Sequence, residues 1–132
     1  MKATLDTNVL VRLATQDDAA QAAKALQVLQ NATLIAVPTP ALCELVWVLL
    51  RGYRYTPAQV AQAVRTLIQV RQVVCHTPAV LAGLAVLEAG GDFADGAIAY
   101  EGELLGGPEF VTFDQQAARL LKAQKRKVRW LR

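Results

Sequence analysis

With 132 residues the chain is long enough for one domain and too short for two independent cores. Apolar residues make up 54% and charged residues 19%, which excludes a disordered chain, and no continuous apolar run approaches the ~18–20 residues of a membrane span. The net charge of +3 is unevenly placed: the last 19 residues, Asp114 to Arg132, hold seven basic residues and one acid, whereas the first 113 hold seven and ten. A basic end on a faintly acidic body suits either a polyanionic partner or a solvated helix face. Serine is absent, which removes serine nucleophiles. His76 is the only histidine, so no histidine pair can bind a metal. Cys43 and Cys75 read as reduced, buried thiols of a cytoplasmic protein. The opening Met1-Lys2-Ala3-Thr4-Leu5-Asp6 has no apolar signal core, so export is not expected.

The elements alternate along the chain. Lys2 to Leu5 reads as a short strand and Asn8 to Thr15 as a helix. Asp17 to Gln30 is a clearer helix, with Ala19, Ala22, Leu26 and Leu29 on one face. Thr33 to Val37 reads as a buried strand. Thr39 as N-cap and Pro40 in the first turn start a helix that runs to Arg51. Thr56-Pro57-Ala58-Gln59 repeats the device with a capping box. Gln72 to Cys75 is a third strand, and Thr77-Pro78 opens a helix ending near Gly90. Asp92 to Leu105 is helical, Glu109 to Phe113 a strand, Gln115 to Gln124 a helix and Val128 to Leu131 a last strand. Short apolar strands separated by helices predict an α/β fold with a parallel sheet between helical layers, a three-layer α/β/α sandwich in one domain over residues 1–132.

Ligands of such sheets bind at the carboxyl ends of the strands. Asp6 ends the first strand and Asp114 follows the fourth, so both project at that edge, although each precedes a helix and also reads as an N-cap. Glu44 is the only charge between Lys24 and Arg51 and is expected to be buried or near-buried, with an arginine or a metal ion as its compensating cation. Asp92 and Asp95 share one helix face, where they serve either the helix dipole or a ligand. Clustered carboxylates without histidine or cysteine select a hard divalent cation, Mg2+ or Mn2+. The matching chemistry is metal-assisted phosphodiester cleavage.

Leu5-Asp6-Thr7-Asn8-Val9-Leu10 resembles the opening motif of PIN-domain ribonucleases. Glu44 resembles their second acid, Asp92-Phe93-Ala94-Asp95-Gly96-Ala97-Ile98-Ala99 their third motif and Thr112-Phe113-Asp114 their fourth. The size points to the VapC-type toxin branch of toxin–antitoxin pairs. The resemblance implies Mg2+- or Mn2+-dependent endoribonuclease activity, restraint by a cognate antitoxin, and a homodimer. It implies an acidic site of Asp6, Glu44, Asp95 and Asp114, with Asp92 acting through metal-bound water and Asn8 and Thr112 orienting acids or waters. Gly96 departs from the family's usual alanine, at an expected cost in helix stability alone. The basic segment with Lys122, Lys125, Arg126, Lys127 and Arg129 is expected to contact RNA phosphates. Trp47, Tyr53 and Tyr55 suit an interface, although Trp47 also suits a core. The alternatives are a housekeeping PIN nuclease of RNA processing or decay, and a catalytically inactive RNA- or protein-binding module on the same fold.

Overall fold

The first apolar run forms strand β1 (Lys2–Thr4) in the computed structural model, which describes residues 1–132. The chain divides into two compact units, Met1–His76 and Thr77–Arg132. In the first, β1, β2 (Leu34–Ala36) and β3 (Val73–Val74) pair in parallel in that order. Ala3 stands opposite Ile35, and Ile35 opposite Val73. Backbone pairing continues past the strands: Leu5 N–H donates to the Ala36 carbonyl at 3.1 Å and Val37 N–H to that of Val74 at 2.9 Å. Ile35 and Val37 are fully buried, as expected of a central parallel strand. The helices of this unit are α1 (Thr7–Thr15), α2 (Ala19–Asn31), α3 (Thr39–Arg51) and α4 (Pro57–Ile68). Leu42, Leu45 and Leu49 from α3 and Val60 and Val64 from α4 are buried, each worth about 1.5–3 kcal/mol over an exposed position.

The helix starts show which local signals acted. Thr56 and Gln59 form the predicted capping box at α4. At α3 the N-cap is Pro38, without a side-chain bond, and Thr39 is the first helical residue. Pro38, with φ near −66°, already sets the extended entry, and Thr39 is buried instead of capping. Asp18, not Asp17, caps α2, accepting from the Gln21 N–H at 3.1 Å. Asp17 is taken up by Arg12 (3.0 Å), Thr15 (2.8 Å) and Tyr53 (2.6 Å). The expected α2 face is thinly covered: Ala25 is its only buried residue and Leu26 is 42% exposed. The apolar side of α2 instead borders a cleft of about 310 Å³ lined by Leu10, Leu13, Leu26, Leu29, Leu67 and Val70. Cys43 and Cys75 form no disulfide and are half-buried, which corrects their expected full burial.

The second unit holds α5 (Thr77–Glu88), α6 (Phe93–Leu104), β4 (Glu109–Thr112), α7 (Gln115–Ala123) and β5 (Lys127–Trp130). Strands β4 and β5 pair in parallel, Phe110 opposite Val128 and Thr112 opposite Trp130. Val86, Ala99, Leu120 and Leu121 form a core that Phe110 and Val128 close. Helices α5 and α6 meet at two glycines. A Cβ on Gly83 would stand 2.7 Å from the Phe93 ring. One on Gly96 would collide with the Ala82 carbonyl oxygen and lie 2.9 Å from Gly83 Cα. Glycine at 96 is therefore a packing requirement, and the expectation that it only weakens the helix is corrected. No helix in the chain is long and apolar enough to cross a membrane.

Candidate active site

Asp6 follows β1 and caps α1, accepting from the Thr7 N–H at 2.7 Å. The Thr7 hydroxyl donates to Glu44 Oε2 at 3.2 Å. One buried threonine thus ties the first acid to the second, across 37 positions of sequence. Glu44 itself is exposed, which corrects its expected burial. Helix α3 buries Leu42, Leu45, Val46 and Leu49 on one side and leaves Glu44 and Trp47 on the other. Trp47 is 63% exposed and is not a core residue. Within this unit no arginine or lysine pairs with Asp6 or Glu44, and Arg12 is committed to Asp17. Asn8 is exposed and lines a cleft with Val9, Arg12 and Lys24, and its side chain makes no hydrogen bond to either acid. The hydroxyl that positions Glu44 belongs to Thr7, a role sequence reading missed because nothing local marks so distant a partner.

In the second unit Asp92 caps α6, accepting from the Ala94 N–H at 3.1 Å. Asp114 caps α7, accepting from the Ala117 N–H at 3.1 Å. The Asp114 N–H in turn donates to the Thr112 hydroxyl at 2.9 Å, so Thr112 orients that acid through its backbone. The capping readings of Asp6, Asp92 and Asp114 are therefore realised, but each cap uses Oδ1 and leaves Oδ2 without a hydrogen bond. Asp95 lies in the first turn of α6, half-buried. Its carboxyl pKa is raised from 3.8 to about 6, by burial first and then by the negative charges of Asp92 and Asp114.

The PIN domain family model matches residues 3–122. The chain belongs to the PIN domain family. No curated protein matches it. PIN domains are generally metal-dependent nucleases, and the mixed α/β architecture here is consistent with their α/β/α fold. The matched span contains Asp6, Glu44, Asp92, Asp95 and Asp114, and stops before the last ten residues.

The donor set of this PIN domain fits a hard divalent cation. All five candidates offer carboxylate oxygens, and three keep an oxygen free after capping. The raised Asp95 pKa marks a place where positive charge would relieve repulsion. In neither unit do three ligating side chains close to metal-binding distance. The basic end is partly spent on the protein itself. Arg126 pairs with Glu103 at 2.9 Å and lies over the Tyr100 ring, and Arg129 pairs with Glu109 at 2.9 Å. Lys122, Lys125 and Lys127 are exposed and form no ion pair.

The Asp95 shift has a measurable consequence without metal. The folded state holds this proton more tightly than the unfolded chain, so below pH 3.8 the group is protonated in both states and costs no stability. Stability then falls as pH rises from 3.8 through about 6, and stays lower above it. Asp95→Asn removes that loss, about 1–2 kcal/mol after allowance for partial solvation. Melting curves of both proteins in EDTA at pH 4.5 and pH 7.5 measure it. The wild type is expected to lose more stability than the variant over that interval, and parallel losses would reject the coupling.

Proposed function

We propose that the protein is a Mg2+- or Mn2+-dependent endoribonuclease formed by one PIN-like domain over residues 1–132, and the toxin of a toxin–antitoxin pair in the cytoplasm. The observation that carries the reading is Asp95, half-buried in a PIN match and held in the field of Asp92 and Asp114. Asp6, Glu44, Asp95 and Asp114 would hold the ion, with Asp92 reaching it through water. When bound, such an ion supplies a nucleophilic hydroxide from water and neutralises charge on the scissile phosphate. The chain's own contribution is placement: three helix N-termini fix three of the acids, and Thr7 orients Glu44.

Two surfaces support the partner side of the proposal. The cleft beside α2 is apolar and open, which suits the apolar face of an antitoxin helix. Leu81 and Ile98, on α5 and α6, are more than half exposed and suit a homodimer contact. Induced expression in the native host tests the reading. Growth is expected to stop, and sequencing of RNA ends is expected to show new 5′ ends at a few sites, both reversed by a small co-expressed partner. Harmless expression with unchanged RNA ends would sink the toxin assignment. Harmless expression combined with metal-dependent cleavage by the purified protein would leave a nuclease of RNA processing.

A further inference from the structure

Phe113 stands between Thr112, the last residue of β4, and Asp114, the cap of α7, and it is 76% exposed. A phenylalanine so placed forgoes the burial its ring would normally gain. The backbone that presents it is held on both sides. The Trp130 indole N–H donates to the Phe113 carbonyl at 3.0 Å, and the next residue's N–H is bound to Thr112. Thr112 is itself paired with Trp130 in the strand ladder. The outward ring is therefore built in.

Its surroundings are aromatic and cationic together. The Arg132 guanidinium lies 4.5 Å over the Trp130 ring. On β5, Lys127 stands opposite Glu109 at the far end of the ladder and Arg129 is paired with Glu109, so Arg132 is the cation beside Trp130 and Phe113. A protein interface core is depleted in charge, whereas here a guanidinium covers the ring next to the exposed one. Stackable rings beside phosphate-neutralising cations are what an unpaired nucleic-acid strand uses. The ring also adjoins an acid of the candidate site, Asp114, whose charge acts on Asp95.

We propose that Phe113 is a stacking platform for an unpaired base of single-stranded RNA, next to the phosphodiester that is cut. Trp130 positions the platform, and Arg132 neutralises a neighbouring phosphate. The proposal rests on the nuclease reading above and assigns to that site the residue that would hold a base.

Binding is measured in EDTA, so that no cleavage occurs, with a fluorescein-labelled single-stranded RNA pool of about 12 nucleotides, within the site sizes of such proteins. Cleavage of the same pool by the wild type with Mn2+ is followed in parallel. Phe113→Ala is expected to weaken binding roughly tenfold or more. Phe113→Trp should keep wild-type affinity, and Phe113→Leu, apolar without a π-face, should behave like alanine. The salt dependence should be the same in all four proteins, because no phosphate contact is lost. Unchanged affinity in Phe113→Ala, or leucine as good as phenylalanine, overturns the platform while leaving the nuclease intact. So does a change of sedimenting mass in Phe113→Ala with RNA affinity unaltered, which would make the patch a protein interface. A wild type that neither binds nor cleaves the pool rejects the nuclease reading and this proposal with it.

Discussion

Asp95→Asn is expected to abolish divalent-dependent RNA cleavage, by at least about 10²-fold, and to leave the fold intact. The substitution removes one charge and almost no volume. Asp95 accepts no hydrogen bond from the protein, so no internal bond is lost with its charge. Asp6→Asn should give the same loss of activity for a second reason worth separating. Asparagine caps a helix as well as aspartate does, so the bond from the Thr7 N–H survives and α1 is retained. Asp6→Ala, in contrast, should lose activity and also about 1 kcal/mol of stability with its cap. Cleavage assays with Mn2+, run beside melting curves, distinguish these cases. Unimpaired cleavage by Asp95→Asn or Asp6→Asn would sink the acidic mechanism, as would full wild-type activity in excess EDTA.

The largest effect on folding should come from a residue with no chemistry. Gly96→Ala adds one methyl where the Ala82 carbonyl oxygen and Gly83 Cα leave no room. Both obstacles are backbone, so relief requires α5 and α6 to move apart. Overpacking of this kind costs about 1–3 kcal/mol, a drop of several degrees in Tm. Gly102→Ala is the matched comparison. It lies in the same helix, and the nearest atom to its added Cβ is 3.8 Å away. There the substitution should stabilise by about 0.4–1 kcal/mol through the unfolded chain. Thermal unfolding of both variants measures the contrast. Equal behaviour would mean that helix propensity, not the close approach, sets the cost at 96.

Much of this was legible because local and global signals agree. Thr56 and Gln59 announce α4 in four residues, and the structure uses them as written. The alternation of strand-length runs with helical patterns reflects parallel pairing, which needs a crossover between partners. Asp6, Asp92 and Asp114 were visible for the same reason they were ambiguous: an acid before a helix is both a cap and a ligand candidate, and here the cap takes only one oxygen. Glu44 was misread because an apolar helix seen alone does not say which side is covered. Its leucines are inside, while Glu44 and Trp47 are outside. Thr7 and Gly96 were not legible at all. Their roles depend on atoms brought close by tertiary folding, a partner 37 positions away for one and a neighbouring helix for the other. Arg126 and Arg129 were expected to face RNA, and each pairs with a glutamate that no spacing rule places beside it.

Under the proposed function, the capping acids Asp6, Asp92 and Asp114 shape how the gene can decay. Aspartate and asparagine codons differ at a single base, and asparagine keeps each cap. Three positions therefore lie one nucleotide change from a protein that folds, accumulates and escapes proteolysis as before. Such alleles carry almost no penalty in abundance. Selection against the activity, acting on a population of cells, should collect Asp→Asn replacements here more often than truncations or core lesions. Their products would persist as intact, inert copies able to occupy the partners of the active form.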